Sequence, residues 1–393
     1  MIPTRFRILF VDQFGTLGGG QKTLLTFIRS LDAKRFKCMT ALNGCGNFRE
    51  KLLQSGFEIT NLPLGNYGSR EKSVSEQARF LFRTLICTFH LISCVKKQKI
   101  DLIYANGPRT FFCATFAAVF TRVPLLWHLH SVLPTGPARF MAGFLSRWTT
   151  RLIACSRATA LPLLRRNPTL QRKLQVVPNP RPIVSESMSR EDALKTMQLP
   201  PLKPGSVGFG IIGRITPFKG QLQFLQAAAL VVKERVDVNF WIIGSPAPDA
   251  PEDLRYLRQL IHFTEKARLN SSVFFVPYQE DIGICYSLFD ILVIASQGEE
   301  GLPLCALEGL SFGKPVIGPK NGGLKEILED GCNSLLLDEI HPEGLSRKML
   351  ELLGSSELRL QFSQNARDRI SAWMTPIGFG RKLEQILTEV LKG

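Results

Sequence analysis

The feature that most constrains this chain is a regular alternation of short apolar runs with longer segments suited to helices, and this alternation occurs twice. In the first half the apolar runs are 8–11, 38–42, 101–104, 124–129, 151–154 and 175–177. In the second half they are 207–212, 238–243, 273–276, 291–295 and 315–318. Strands that alternate with helices form parallel sheets covered by those helices. The sequence therefore predicts an α/β protein with two doubly wound domains.

A proline-rich, polar passage from Pro178 to Pro204 separates the two series. Only a short helical segment near residues 191–197 interrupts this passage, which is therefore the predicted connection between the domains. We expect an N-terminal domain at residues 1–180 and a C-terminal domain at residues 181–375. A last helix-like stretch at residues 376–393 is expected to return to the N-terminal domain.

The composition fits two ordinary globular domains. A length of 393 residues is enough for two separate cores, and the hydrophobic and charged fractions, 45% and 21%, lie near globular averages. The net charge of +16 predicts an anionic partner, for which phosphate-bearing substrates, an anionic bilayer surface and nucleic acid all qualify. No recognised nucleic-acid-binding module is present, so nucleic acid ranks last.

The cysteines and the apolar segments bear on the compartment. None of the nine cysteines forms a CxxC pair, which is typical of buried thiols in a reducing cytoplasm. The apolar run at 8–11 is too short for a signal-peptide core, so we expect a cytoplasmic protein that is not exported. The longest apolar stretch, 80–95, is interrupted by Arg83 and His90, and we expect a buried or half-buried helix there rather than a membrane span.

Ligands of open α/β sheets bind beyond the carboxyl ends of the strands, so we expect the functional residues in the loops that follow the strands. After the first strand comes Gly18-Gly19-Gly20, directly before a helix-compatible segment that opens at Gln21. Bare backbone amides at a helix N-terminus suit an anion or a polar ligand. A turn that lets the helix pack closely on its strand explains the glycines equally well.

The first loop of the second domain places two cations, Arg214 and Lys219, between Gly213 and Gly220. The planar fork of donors on arginine and the compact charge of lysine together suit a diphosphate, and they would neutralise the charge on a departing nucleoside diphosphate. Two solvated surface cations are the alternative for this loop taken alone.

Two glutamates, Glu300 and Glu308, bracket a predicted helix start after the strand at 291–295. Pro303 fits the first helical position, and the backbone near the start of the helix is expected to face phosphate. These backbone positions are Gly301, Leu302, Pro303 and Leu304. Glu308 is placed to accept hydrogen bonds from sugar hydroxyls, whereas an ordinary helix with an acidic first turn is the alternative. Downstream, Gly322-Gly323 and Glu326 form another predicted strand-to-helix turn.

Taken in order, these motifs resemble the large retaining glycosyltransferase family of the GT-B fold called glycosyltransferase group 1, or glycosyltransferase family 4-like. The motifs are the triple glycine, Gly-Arg-Ile with Lys-Gly, Glu-Gly-Leu-Pro-Leu with a glutamate eight residues after the first, and Gly-Gly-x-x-Glu-Ile. The match covers most of the second domain and parts of the first. The resemblance implies two Rossmann-like doubly wound domains facing a central cleft. It also implies a donor nucleotide held mainly by the second domain, an acceptor held mainly by the first, retention of configuration, and no metal or other cofactor.

The resemblance also assigns roles to individual residues. Arg214 and Lys219 would bind the diphosphate, Glu300 the donor sugar and Glu308 the ribose, while the Gly18–Gly20 loop would approach the sugar and phosphates. His130 corresponds to the family's histidine after a strand of the first domain, and it would contact the transferred sugar near the reaction centre. His128 lies two residues earlier, on the same predicted strand face, but His130 is nearer the carboxyl end.

Three positions depart from the family pattern. Pro180 stands where glycine usually follows the asparagine, the loop after Gly244 lacks the usual acidic residue and second glycine, and the loop at Tyr278 lacks the glycine where the base often stacks. The departures leave the base and the local loop geometry open, but not the reaction class.

The predicted function is transfer of a sugar from a nucleotide diphosphate-sugar to an acceptor hydroxyl, in bacterial surface polysaccharide, lipopolysaccharide or glycolipid assembly. Basic and aromatic residues of the first domain suit a lipid-linked acceptor and peripheral contact with an anionic membrane, at the inner face of the cytoplasmic membrane. For any one segment, an ordinary helix with a solvated basic face and a buried apolar face is the better explanation. The residues are Arg79, Phe80, Phe82, Arg83, Lys96, Lys97, Arg139, Phe140, Phe144, Arg147 and Trp148. A catalytically silent nucleotide-binding subunit, and an epimerase or phosphorylase on the same scaffold, remain as alternatives.

Overall fold

The computed structural model describes residues 5–65, 74–184, 188–247 and 250–392, and side chains from residue 78 onward in the segment that begins at 74. The chain divides into two compact units. Unit 1 comprises Met1–Pro180 with Met374–Gly393, and unit 2 comprises Arg181–Trp373.

Unit 1 contains a parallel seven-stranded sheet with the strand order β3-β2-β1-β4-β5-β6-β7. Its strands are β1 (Phe6–Asp12), β2 (Phe36–Leu42), β3 (Glu58–Asn61), β4 (Leu102–Asn106), β5 (Leu125–Leu129), β6 (Arg151–Ala154) and β7 (Leu174–Val176). Its helices are α1 (Gly19–Ser30), α2 (Asn47–Gln54), α3 (Val74–Gln98), α4 (Pro108–Thr121), α5 (Pro137–Leu145), α6 (Arg157–Arg166) and α14 (Pro376–Lys392). The strand order reverses between β1 and β4, which is the doubly wound pattern.

The sheet of unit 1 is buried on both faces because side chains alternate along each strand. Leu9 and Val11 pack into the core under α3, α4, α5 and α6. Ile8 and Phe10 pack into the opposite core with α1, α2 and α14. An apolar run without polar interruption, such as 8–11, is therefore what a central strand of this sheet requires.

Unit 2 repeats the design with six parallel strands in the order β10-β9-β8-β11-β12-β13. The strands are β8 (Val207–Ile212), β9 (Val238–Ile243), β10 (Val273–Val276), β11 (Ile291–Val293), β12 (Val316–Pro319) and β13 (Ser334–Leu337). The helices are α7 (Arg190–Thr196), α8 (Gln221–Glu234), α9 (Pro251–Lys266), α10 (Ile282–Ser287), α11 (Leu304–Ser311), α12 (Pro342–Gly354) and α13 (Ser356–Ser371). The prediction of two Rossmann-like domains is confirmed.

Several local expectations were wrong. Strands β3 and β13 were not predicted, because β3 is a short edge strand with exposed polar ends and β13 lies in a stretch rich in turn residues. The expectation of a half-buried helix at 80–95 is confirmed: one side of α3 is buried, while Phe82 and Phe89 on the other side are 64% and 71% exposed. The cysteines are free thiols as expected, yet Cys45 is exposed rather than buried.

Helix α14 completes the core of unit 1 although it lies at the other end of the chain. Phe379 is fully buried, and its ring meets the ring of Phe27 edge-on at 6.4 Å between centroids. Arg35 forms an ion pair with Glu384 at the rim of the same contact. Because α14 supplies part of the apolar cover over the sheet, unit 1 depends on the last helix for its stability.

We expect Phe379→Ala to destabilise unit 1 by about 3 to 5 kcal/mol, because the substitution opens a cavity between α14 and α1. Hydrogen exchange measured by mass spectrometry should show faster exchange of α1 and α14, by about 100-fold or more at 1.4 kcal/mol per factor of ten. The matched control is Ile377→Ala, because Ile377 lies on the same helix and is exposed. Unchanged protection in Phe379→Ala would contradict a structural role for this contact.

Candidate functional site

The predicted residues of unit 1 lie where the strand order reverses, beyond the carboxyl ends of β1 and β4. This position is where doubly wound sheets bind ligands. Asp12 is the last residue of β1, Asn106 is the last residue of β4, and His130 directly follows β5. Helix α1 begins at Gly19 with Gly18 as its N-cap, so the triple glycine forms the helix start itself rather than a loop that precedes it.

A buried hydrogen-bond network joins these positions. The Asp12 carboxylate accepts hydrogen bonds from Asn106 Nδ2, from Gln21 Nε2 at 2.8 Å and from the backbone N–H of Phe14 at 2.9 Å. Burial raises the pKa of Asp12 to about 6, and these donors act against that rise because they stabilise the ionised form. Asp12 is therefore held as an acceptor at neutral pH by three aligned donors.

The same network fixes the proton on His130. Since the Asn106 amide nitrogen donates to Asp12, its oxygen Oδ1 accepts from His130 Nε2 at 2.7 Å. The ring is then protonated at Nε2, and Nδ1 has a free lone pair. Among the residues that the structure describes, His130 Nδ1 is buried without a hydrogen-bond partner. It is suited to accept a hydrogen bond from a ligand hydroxyl.

The surroundings of His130 keep the ring neutral and in place. Burial lowers its pKa to about 4, and the rings of His128 and His130 lie 3.9 Å apart between centroids. Burial, followed by the neighbouring His130, also lowers the pKa of His128, whose Nδ1 lies 2.6 Å from the Tyr104 hydroxyl. A Cβ atom on Gly20 would lie 3.1 Å from the His130 ring, so the third glycine allows helix α1 to approach the histidine closely.

In unit 2 two loops at strand ends are tied together. The loop after β8 contains Arg214 and Lys219, and the loop after β11 contains Ser296 and Glu300. The backbone N–H of Gln297 donates to the Phe218 carbonyl at 2.8 Å, which joins the loops directly. Gly220 is required at this junction, because its φ is +71° and a Cβ atom there would lie 1.9 Å from the Ala295 carbonyl oxygen.

Lys219 and Glu300 form a largely buried ion pair. Lys219 Nζ donates to Glu300 Oε2 at 2.7 Å, and the Ser296 hydroxyl donates to Glu300 Oε1. Burial lowers the pKa of Lys219, but the charge of Glu300, the neighbouring Cys305 and the hydrogen bond to Glu300 together raise it overall. The lysine thus stays charged at every physiological pH. Sequence reasoning placed both residues in the site but did not foresee that they pair.

Arg214 differs from Lys219 because its side chain is 54% exposed. Its Nε atom lies 3.9 Å from Asp253 Oδ2, and its carbonyl accepts from Gln221 Nε2 at 2.9 Å. The backbone of the loop is anchored at Gly213, whose N–H donates to the Ile243 carbonyl at 3.0 Å. The guanidinium group therefore extends from an anchored backbone and is exposed to an approaching anion.

Helix α11 places Glu308 in the same unit. The helix begins at Leu304, and Pro303 is its N-cap rather than its first helical residue, with no side-chain cap. The uncapped first turn makes α11 a potential anion-binding helix end. Glu308 is buried one turn further on, and Tyr286 donates to its Oε2 atom at 3.2 Å.

The Gly322-Gly323 turn packs against the backbone of the loop that contains Glu300. The backbone N–H of Gly323 donates to the Glu300 carbonyl at 2.9 Å, and a Cβ atom on Gly323 would lie 1.5 Å from the Gly301 carbonyl oxygen. The turn is a short 3-10 helix at Gly322–Glu326 rather than a regular helix. Both positions require glycine because the backbone of the Glu300 loop lies too close to leave room for a side chain.

The structure therefore groups the predicted residues by unit. Gly18, Gly19, Gly20 and His130 lie together in unit 1, and Gly213, Arg214, Lys219, Glu300, Gly301, Leu302, Pro303, Leu304 and Glu308 lie in the linked loops and helix of unit 2. Sequence reasoning missed Asp12, Asn106, Ser296 and Tyr286. A polar residue at the carboxyl end of an apolar strand is the signal that would have found the first three. Among the described residues no group of three His, Cys, Asp or Glu side chains is arranged to hold a metal ion.

Fold and site together define a protein of two Rossmann-like units, each with polar groups gathered at its strand ends. The family model described as glycosyltransferase family 4 matches residues 17–182, and the model of glycosyl transferases group 1 matches residues 200–369. These two matches together cover most of the chain and coincide with the two units. The chain belongs to the glycosyltransferases of the GT-B fold.

In the aligned segments, the individual relatives share only about a quarter of their residues with this chain. The UDP-Gal:α-D-GlcNAc-diphosphoundecaprenol α-1,3-galactosyltransferase of Escherichia coli is 22% identical over 307 residues, which cover 74% of this chain and 76% of that protein. An uncharacterized glycosyltransferase of Methanocaldococcus jannaschii is 30% identical over 166 residues, 42% of this chain and 43% of that protein. The chain spans less than half the length of this relative and of two other curated relatives.

Solved structures show the same fold. The crystal structure of Anabaena HepE in complex with UDP and glucose superposes with a TM-score of 0.81 at 22% sequence identity, and the match covers 98% of this chain and 100% of that chain. At this level of identity the likeness shows the fold alone.

The lowered pKa of His130 predicts a loss of stability in acid. A histidine with a pKa of about 4 when folded and 6.5 when unfolded stabilises the fold fully above pH 6.5, and this stabilisation is lost as the pH falls towards 4. The loss is roughly 3 kcal/mol at about 1.4 kcal/mol per pKa unit. We expect the difference in unfolding free energy between the wild type and His130→Gln to change by this amount between pH 7 and pH 4.

Comparing the two proteins removes the opposing contribution of Asp12, whose raised pKa favours the fold as the pH falls through 6. His262→Gln is the control, because His262 is exposed on α9 of unit 2. Urea unfolding measured at a series of pH values gives the answer. Parallel pH profiles for wild type and His130→Gln would show that His130 is not a buried neutral base.

Proposed function

We propose that this protein is a retaining glycosyltransferase that moves a sugar from a nucleotide diphosphate-sugar to an acceptor hydroxyl. The observation that supports this function most is the ion pair of Lys219 with Glu300 between two hydrogen-bonded loops, the second of which leads directly into the uncapped start of α11. This arrangement places a fixed positive charge, backbone amides and a carboxylate together, as recognition of a diphosphate joined to a sugar requires.

The donor is bound by unit 2 in this proposal. Arg214 and the amides at the start of α11 bind the diphosphate, and Lys219 adds its charge when the donor arrives beside it. Glu308 accepts hydrogen bonds from the ribose, and its carboxylate is already oriented by Tyr286. Glu300 binds the transferred sugar. HepE, which shares the fold, was crystallised in complex with UDP and glucose, which supports a nucleotide-sugar donor.

The reaction proceeds with retention and without a covalent enzyme intermediate. The bond between the anomeric carbon and the diphosphate oxygen breaks, and the leaving diphosphate takes the electron pair. The acceptor oxygen then forms its bond to the anomeric carbon on the same face, and its proton passes to an oxygen of the diphosphate. Arg214, Lys219 and the helix amides stabilise the developing charge, so no metal is needed in this scheme.

Side chains in the described part of unit 2 favour this scheme over a cysteine nucleophile. Cys305 is half-buried beside Lys219 and Glu300, and desolvation of its thiol raises the pKa to about 12. A thiol with such a pKa is not a thiolate at neutral pH. His130 of unit 1 offers a hydrogen-bond acceptor, because its Nδ1 lone pair suits a sugar hydroxyl.

The acceptor is a glycan or a lipid-linked glycan of a bacterial surface polysaccharide, lipopolysaccharide or glycolipid pathway, and the protein works in the cytoplasm. The E. coli relative, which is named as acting on a diphosphoundecaprenol-linked sugar, supports a lipid-linked acceptor. A catalytically silent nucleotide-binding subunit is the second candidate, because the same donor site could bind a nucleotide without catalysing transfer.

A thermal-shift panel of uridine, guanosine, adenosine, cytidine and thymidine diphosphates tests the donor site. A nucleotide present at about 100 times its dissociation constant should add roughly 2.7 kcal/mol of stability. Arg214→Ala and Glu308→Gln should each weaken the preferred nucleotide by about tenfold or more, because each removes a charge-assisted hydrogen bond. Lys266→Ala, an exposed lysine of α9, is the control that should leave affinity unchanged. No shift with any nucleotide would count against a donor site in unit 2.

Turnover and stereochemistry test the reaction. With the nucleotide-sugar whose base that panel selects, NMR of the product should show the anomeric configuration of the donor. Glu300→Gln should lower kcat by roughly 100-fold or more, as expected for a group that acts on the reacting sugar. Glu299→Gln is the control, because Glu299 is adjacent and exposed. An inverted product would overturn retention, while nucleotide binding without turnover would favour the silent subunit.

A further inference from the structure

The outward side of helix α3 is unusually apolar for a helix that covers a sheet. Its inward side buries Cys87, Leu91 and Val95 in the core of unit 1. On its outward side Phe82 and Phe89 are 64% and 71% exposed, one heptad apart, with Leu85 exposed between them. Residues at this spacing form one stripe along a helix. Single exposed apolar residues are ordinary, whereas a continuous stripe marks an interaction surface.

The neighbouring helices extend the stripe into a surface. Helix α4 packs against α3, and α5 packs against α4. Each exposes two phenylalanines on the side away from the core. We define the outer face by two phenylalanines from each of the three helices: Phe82 and Phe89, Phe116 and Phe120, and Phe140 and Phe144.

Cations surround this outer face. Arg79 lies before the stripe of α3, and the exposed Lys96 and Lys97 lie after it. Just after α5, the Arg147 guanidinium lies 4.0 Å from the ring centroid of Phe144, and Arg166 at the end of α6 lies at the same distance from the ring of Phe140. Arginine stacked on an exposed aromatic ring presents charge and apolar surface together.

The charge of this part of the chain has one sign. Between Asp101 and Glu186 the sequence contains no aspartate or glutamate, although it contains eleven arginines and lysines. Much of the net charge of +16 is thus carried by the segment that contains α4, α5 and α6. A second copy of this chain would bring an equally basic face against it, so repulsion disfavours self-association through the outer face.

We propose that the outer face is a docking surface for an anionic lipid bilayer. The six phenylalanines enter the boundary between headgroups and acyl chains, and the surrounding arginines and lysines bind lipid phosphates. The inference deepens the proposed function, on which it rests for the lipid-linked nature of the acceptor. It places the enzyme on the membrane that holds such an acceptor.

The helix lies on the bilayer and does not cross it. Residues Ala78–Gln98 of α3 are long and apolar enough for a membrane span by length and composition. However, α3 is the crossover between β3 and β4, and its Cys87, Leu91 and Val95 pack in the same core as Val11 and Ile103. Withdrawal of α3 into a bilayer would expose that core, so only the outward side is available to lipid.

Sedimentation of the full chain with vesicles tests the proposal. The wild type should bind vesicles of phosphatidylglycerol and phosphatidylethanolamine at low salt, bind phosphatidylcholine vesicles weakly, and lose binding as salt screens the charges. The triple variant Phe82→Ser, Phe89→Ser, Phe120→Ser should raise the apparent Kd for anionic vesicles at least about tenfold. Lys96→Gln and Lys97→Gln should each raise it about fivefold.

Controls separate docking from folding and from the donor site. Val236→Ser with Leu360→Ser removes two equally exposed apolar side chains from unit 2 and should leave vesicle binding unchanged. Every variant should keep the wild-type melting temperature and the wild-type shift with its preferred nucleoside diphosphate. Vesicle binding without any nucleotide shift would reject the proposed function and leave the docking surface standing.

Three results would overturn the docking surface. The first is a folded, nucleotide-binding wild type that does not bind anionic vesicles. The second is vesicle binding that the triple variant retains in full. The third is a wild-type dimer in light scattering that the triple variant dissociates, with no vesicle binding by either protein, which would assign the outer face to self-association.

Discussion

In both units the polar side chains of the candidate site lie where the strand order reverses beside the first strand of the sheet. Helices on opposite faces of the sheet diverge at that point, so the strand ends are not covered by a crossover. Side chains and loops there must satisfy each other without regular backbone pairing. In unit 1 that role falls to Asp12 at the end of β1 and Asn106 at the end of β4. In unit 2 it falls to the loops after β8 and β11, which the Gln297–Phe218 hydrogen bond joins.

The polar groups at the strand ends differ in charge between the two units. The network of unit 1 ends in a histidine that burial keeps neutral, and the single carboxylate in it is stabilised by amide and backbone donors. Such a site suits neutral hydroxyls, because no unpaired charge faces the ligand. Unit 2 instead holds Lys219 charged beside Glu300 and leaves Arg214 exposed. An anionic group approaching unit 2 meets cations already in place, without moving a proton.

The sequence predicted those features that depend on neighbouring residues, and it did not predict contacts between residues far apart in the chain. The central strands were found because burial on both faces requires an uninterrupted apolar run, as at Val238–Ile243. The edge strand Glu58–Asn61 is free of that requirement and gave no such signal. Arg214, Lys219 and Glu300 were found because charged residues within glycine- and proline-containing loops stand out locally, and Glu308 was found because it follows such a loop in the first turns of α11. Asn106 was missed because its role depends on Asp12, 94 residues away in sequence and adjacent only once β1 and β4 pair.

The length of α3 is the part of unit 1 that packing on the sheet does not explain. Its 25 residues span about 37 Å at 1.5 Å per residue, whereas the five residues of β4 span about 17 Å at 3.3 Å per residue. A crossover needs a helix only about as long as the strands that it covers, and α4 has 14 residues. The additional turns of α3 therefore have another cause. They contain exposed aromatic and aliphatic side chains with lysines at their end, which supplies that cause in a surface that contacts something other than the sheet.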